Sequence, residues 1–102
     1  MGTLHYGASR TSIHVDDRTL AHLQVVITTK LRRNEGLLLQ WDRGVENGSG
    51  RGAFWVHPST DLIYDYDGSR EPTLDPNELD RMMGEASGRH GLHIVAEDRA
   101  LV

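Results

Sequence analysis

Residues 36–66 read GLLLQWDRGVENGSGRGAFWVHPSTDLIYDY, and the fold turns on how this stretch is divided. Three apolar, aromatic-rich runs, at 37–41, 53–57 and 62–66, are bounded by Gly, Asn, Pro and Asp clusters. That pattern predicts three strands. The glycine-rich segment 42–52, with Asn47-Gly48, predicts a loose hairpin loop. Pro58-Ser59-Thr60-Asp61 predicts the second turn.

A register follows if Trp41 stands opposite Trp55 and the second turn pairs His57 with Leu62 and Trp55 with Tyr64. One face then gathers Leu39, Trp41, Trp55, His57, Leu62, Tyr64 and Tyr66. The other takes Leu38, Phe54, Val56 and Ile63, with Gln40 and Asp65 at its margin. A slip of one residue redistributes every side chain. The aromatic face reads as core and cross-strand packing, or as a platform for bases or a partner. Packing carries more weight, because Trp and Tyr are usually well buried. Asp61, Asp65 and Asp67 also stand close by, where they would repel phosphates.

Upstream, Leu4 and Tyr6 alternate with Thr3 and His5, and Ile13 and Val15 with Ser12 and His14. This predicts a hairpin near 3–7 and 11–15, broken at Gly7-Ala8-Ser9. Asp16-Asp17 supplies an N-cap for a helix over 17–33. Leu20, Leu23, Ile27 and Leu31 form its apolar stripe, with Val26 beside them. The run Val25-Val26-Ile27-Thr28-Thr29 suits a strand by propensity, but the stripe spans three turns and decides for helix. Downstream, Asp75 caps a second helix with Pro76 at N1, Glu78 at N3 as in a capping box, and Leu74 stapling to Leu79. Leu79, Met82, Met83 and Ala86 follow helical spacing, and Gly88 stops the helix. A strand over 92–96 and a frayed tail complete the chain. The order β-β-α-β-β-β-α-β predicts an α+β fold, a mainly antiparallel sheet with both helices on one face.

Length and charge bound the function. The chain has 102 residues, 37% apolar and 25% charged, with net charge −4 and no cysteine. It reads as a single domain over 1–102. Disulfides, thiolate metal sites and cysteine nucleophiles are excluded. Residues 1–52 carry a net +2 and residues 53–102 a net −6. No segment is long and apolar enough for a membrane helix, and the N-terminal residues lack the pattern of a secretory signal. We therefore expect a cytoplasmic protein.

The only basic cluster is Lys30, Arg32 and Arg33, and with Arg51 it forms a candidate nucleic-acid contact. The same cations at a helix C-terminus offset its dipole, which is the plainer reading. The histidines, His5, His14 and His90-x-x-His93 among them, match no metal motif, so neither a metal nor another cofactor is expected. Asp65-Tyr66-Asp67-Gly68 fails as a calcium loop, since Ile63 and Leu74 stand where carboxylates are needed. Ser59 beside His57 suggests a Ser–His pair without a nucleophile elbow. No phosphate-binding loop is present.

The strings GTLHYG (2–7), DDRTLAHLQVVITTKLRR (16–33), WVHPS (55–59), YDYDGS (64–69) and GLHIV (91–95) resemble a family of small actinobacterial proteins without established activity. Its members are often labelled ATP-dependent DNA ligase, and a similar domain is appended to such ligases. The second helix departs from that family, with LDPNELDRMM where an asparagine and a tryptophan are expected. The resemblance implies a ligase-associated accessory domain with a DNA ligase or another protein as partner. A ligase itself needs a nucleophilic lysine in a K-x-D-G context. The only lysine, Lys30, is followed by Leu31-Arg32-Arg33. The chain therefore reads as a non-catalytic interaction module whose partner surface is Trp41, Trp55, His57, Tyr64 and Tyr66. DNA binding through the arginines and a homo-oligomer built on the aromatic face are the two alternatives.

Overall fold

Asp16 adopts extended backbone, and its carboxylate accepts from the Thr19 N–H at 2.7 Å, so helix α1, Asp17–Arg32, begins where the acidic pair predicts. In the computed structural model, which describes residues 1–7, 11–42 and 50–96, α1 follows strands β1, Gly2–Tyr6, and β2, Thr11–Val15. Then come β3, Leu37–Asp42, β4, Arg51–Val56, β5, Leu62–Asp65, helix α2, Pro76–Ala86, and β6, Leu92–Val95. The element order and the α+β class agree with the sequence reading. The predicted break at Ala8-Ser9, the Asn47-Gly48 loop and the tail at 97–102 lie outside the described residues.

The six strands form two sheets rather than one, ordered β2-β1-β5 and β4-β3-β6. All pairings are antiparallel except β3 with β6. Each helix carries the chain from the first sheet to the second: α1 joins β2 to β3, and α2 joins β5 to β6.

The expected β4–β5 hairpin does not form. The His57 N–H donates to Thr60 Oγ1 at 2.9 Å, and the Thr60 N–H returns to the His57 carbonyl at 2.8 Å. This turn, with Pro58 inside it, closes on itself and ends the β4 ladder. Strand β5 instead pairs with β1, placing Leu62 opposite Tyr6 and Tyr64 opposite Leu4.

The β3–β4 register also differs from the one expected. Trp55 stands opposite Leu38, and Trp41 opposite Gly52. The displacement is an odd number of residues, so β4 turns its other face to the core relative to β3. Leu37, Leu39, Trp41, Phe54 and Val56 share the inner face, while Trp55 lies on the outer one.

One core joins both sheets and both helices. Leu4, Ile13 and Val15 enter it from the first sheet, and Leu37, Leu39, Val56, Leu92 and Ile94 from the second. Helix α1 contributes Leu20, Leu23, Val26 and Ile27, each fully buried, and α2 contributes Met82 and Ala86. Each large aliphatic side chain buried this way contributes roughly 1.5–3 kcal/mol, which outweighs the strand propensity of 25–29. Tyr6 stacks on Phe54 with ring centroids 3.8 Å apart, and its hydroxyl donates to the Trp55 carbonyl, stitching β1 to β4.

Helix α2 is capped differently from the expected box. The Asp75 carboxylate accepts from the Asn77 N–H at 3.0 Å. Glu78 is engaged by Arg81 instead of reaching back. The Asp75 N–H donates at 3.0 Å to Nε2 of His22, a buried histidine of α1. His22 Nδ1 lies 2.7 Å from the Arg18 carbonyl. A carbonyl only accepts and an amide N–H only donates, so Nδ1 carries the proton and Nε2 is the acceptor. His22 thus locks α1 to the first residue of the α2 cap.

Candidate interaction surface

The outer face of the β4-β3-β6 sheet is built by simple alternation. Strand β4 presents Arg51, Ala53 and Trp55, β3 presents Leu38, Gln40 and Asp42, and β6 presents His93 and Val95. The inner positions of these strands are core, so the pleat turns the remaining side chains outward. Trp55 is 54% exposed and Val95 59% exposed, large values for side chains of this kind. Leu38, opposite Trp55, is half-buried. The Trp55 indole lies against Gly36: a Cβ there would stand 2.5 Å from the ring. Toward the other end, His93 Nε2 lies 2.8 Å from an Asp42 carboxylate oxygen. Gln40 donates to the His90 carbonyl. The face is therefore apolar at the Trp55–Leu38 corner and polar from its middle to the Arg51–Asp42 end.

The other residues singled out by sequence fall elsewhere. Trp41 is half-buried on the inner face, 5.4 Å from Phe54 between ring centroids. Tyr64 packs against the core, and burial, with a smaller contribution from Tyr66, raises its hydroxyl pKa well above the ordinary tyrosine range. Tyr66 donates to Gln24 Oε1 at 2.6 Å. Desolvation first, then the charges of Asp17 and Glu71, raise its pKa as well. His57 is exposed in the turn after β4, its Nδ1 2.8 Å from Ser59 Oγ. The Ser59 N–H also donates to that nitrogen, so the pair closes the turn. Of the proposed partner surface, Trp55 and His57 stand open to solvent; the rings of Trp41, Tyr64 and Tyr66 pack against the core.

The basic cluster divides in the same way. Lys30 is only 6% exposed; its ammonium pairs with Glu35 at 2.9 Å and donates to Ser87 Oγ at 3.3 Å. Its hydrogen bond and charge hold the Glu35 carboxyl below the usual range. Arg32 and Arg33 are exposed at the end of α1, and Arg51 lies on the outer sheet face opposite Asp42. The structure does not gather Lys30, Arg32, Arg33 and Arg51 into one open patch.

Two hydroxyl–imidazole pairs lie on the outer face of the β2-β1-β5 sheet: His5 Nδ1 with Ser12 Oγ at 2.9 Å, and His14 Nδ1 with Thr3 Oγ1 at 3.0 Å. His5 Nε2 is 3.9 Å from Asp65. A Ser–His–Asp order therefore exists, but β1 is the central strand and its backbone groups are spent in ladders on both sides. Among the described residues, no group of three or more His, Asp or Glu side chains converges as metal ligands. No helix among them is long and apolar enough to cross a membrane.

Leu38, Ala53 and Val95 on the open face were missed by sequence reasoning. Their signal was the alternation in 53–56 and 92–95, which becomes readable only once the register is known. The fold and this face define a small two-sheet α+β domain with an open sheet surface. The chain belongs to a family described as a domain of unknown function (DUF7882), whose model matches residues 1–97. Neither a curated protein nor a solved structure matches the chain.

Proposed function

We propose that the chain is a non-catalytic interaction module of the cytoplasm, accessory to a partner protein, with a DNA ligase as the first candidate. The observation that carries this reading is the exposure of Trp55 beside Leu38 on an otherwise ordered sheet face. Exposed Trp on a pre-formed surface is the residue type that most often dominates protein contacts. The ligase candidate rests on the sequence resemblance alone. Nucleic-acid binding has less support, because Lys30 is committed to Glu35 and the chain carries a net charge of −4.

The test mixes the full chain with a purified ATP-dependent DNA ligase and follows complex formation by light scattering. A complex with the native chain, lost on Trp55→Ser, is expected. Transfer of radiolabel from ATP to Lys30 overturns the non-catalytic reading. A complex indifferent to Trp55→Ser removes the contact from this face. A dimer of the chain alone that dissociates on Trp55→Ser assigns the face to self-association, and salt-sensitive retention on DNA supports the nucleic-acid reading instead.

A further inference from the structure

Segment 66–75 carries neither helix nor strand, yet it is tied down at both ends, and both sets of ties lead to α1. At its start, Tyr66 donates to Gln24, and the N–H groups of Asp67 and Gly68 donate to the Asp17 carboxylate at 3.3 and 2.9 Å. At its end, the Asp75 N–H donates to His22. Between the ties the segment and the helix line an open surface groove of about 640 Å³.

The chemistry of the lining is two-sided. Ala21 and Val25 of α1 face Pro72 and Leu74 of the segment, and Val25 and Leu74 are 36% and 41% exposed. Arg32 and Arg70 line the same groove with one carboxylate, that of Glu71. The lining thus carries a net charge of +1 in a chain whose net charge is −4. Two guanidiniums against one lining carboxylate, beside an apolar wall, match a monoanion with an apolar body. Guanidinium and carboxylate also match in planar, two-pronged geometry.

We propose that this groove binds a small amphipathic monocarboxylate, its aliphatic or aryl body against Val25 and Leu74 and its carboxylate at Arg32 and Arg70. The site is separate from the Trp55 face and does not rest on the function proposed above.

The probe is octanoate, titrated into the isotope-labelled full chain and followed through amide shifts. Saturable shifts confined to 21–32 and 68–74 are expected at millimolar octanoate, with none from octylammonium or inorganic phosphate. Arg32→Gln and Arg70→Gln, both at exposed positions, each weaken binding by roughly tenfold with the native spectrum retained, as loss of a charge-assisted bond implies. Val25→Gln, which alters the apolar wall alone, weakens octanoate and leaves the arginines in place. Absence of saturable shifts, equal binding of octylammonium, or undiminished binding by the arginine variants overturns the proposal.

Discussion

The indole of Trp55 occupies the space that a side chain at Gly36 would need: a Cβ at Gly36 would lie 2.5 Å from Cζ2 of the ring. On the opposite face of the same sheet, Trp41 covers Gly52 in the same manner, with a Cβ there 2.4 Å from its Cζ2. Each tryptophan thus fills the gap its glycine leaves, and at Gly52, inside the β3–β4 ladder, this is a known way of supporting a strand glycine. The pairing at Gly36 holds an exposed aromatic in one orientation without burying it.

Gly36→Ala should therefore displace the Trp55 ring and destabilise the chain by about 1 kcal/mol, the low end for added bulk at a packed contact. The same substitution in a Trp55→Val background should cost almost nothing. A double-mutant cycle from urea midpoints gives the coupling; additive losses would show that the two residues do not meet.

His22 bridges the Arg18 carbonyl and the Asp75 N–H while buried. His22→Leu keeps most of the volume and strands the Asp75 N–H, while the Arg18 carbonyl keeps its helical bond from the backbone of residue 22. A loss of about 1–3 kcal/mol is expected, with faster hydrogen exchange at the Asp75 amide. Unchanged exchange there would place the α2 cap outside the control of this histidine.

The Asp17 carboxyl is held below its ordinary value of 3.8, chiefly by the Gly68 N–H, with Asp67 adding to it against a desolvation cost. A depressed folded-state pKa contributes stability that is fully present above the unfolded value and is lost as pH falls through the folded one. Asp17→Asn should lower the urea midpoint at neutral pH, and the gap from the native chain should narrow below pH 3.8. A gap independent of pH would mean that the charge on Asp17 plays no part.

Two glycines should respond in opposite senses to alanine. Gly84 lies inside α2 with open space where a Cβ would go, so Gly84→Ala should stabilise by up to about 1 kcal/mol. Gly91 has φ +76°, and a Cβ there would meet the Leu38 carbonyl oxygen at 2.4 Å, so Gly91→Ala should destabilise severely. Thermal midpoints of the two variants, shifted in opposite directions, check both.

Much of the local structure was legible in the residues. Asp16 and Asp75 mark both helix starts, and the stripe Leu20, Leu23, Ile27 identifies α1 despite its β-branched run. The strands were equally plain, and so was the absence of a ligase lysine motif. Lys30 stands in the last turn of α1, as the sequence predicts, but only the fold shows it buried against Glu35 and Ser87, the latter 57 positions away in sequence.

Sequence by itself determined the elements, their order and the α+β class, because helix caps, turn residues and apolar periodicity act within a few residues of one another. Only the tertiary structure decided which strands share a ladder and in what register. That choice sends β5 to β1, places Trp55 outside and Trp41 inside, and hangs segment 66–75 on α1. The physical reason is that a strand offers its backbone hydrogen bonds to any partner. The selection is made by side chains that meet across long separations in the chain, such as Tyr6 on Phe54 and His22 on the Asp75 amide.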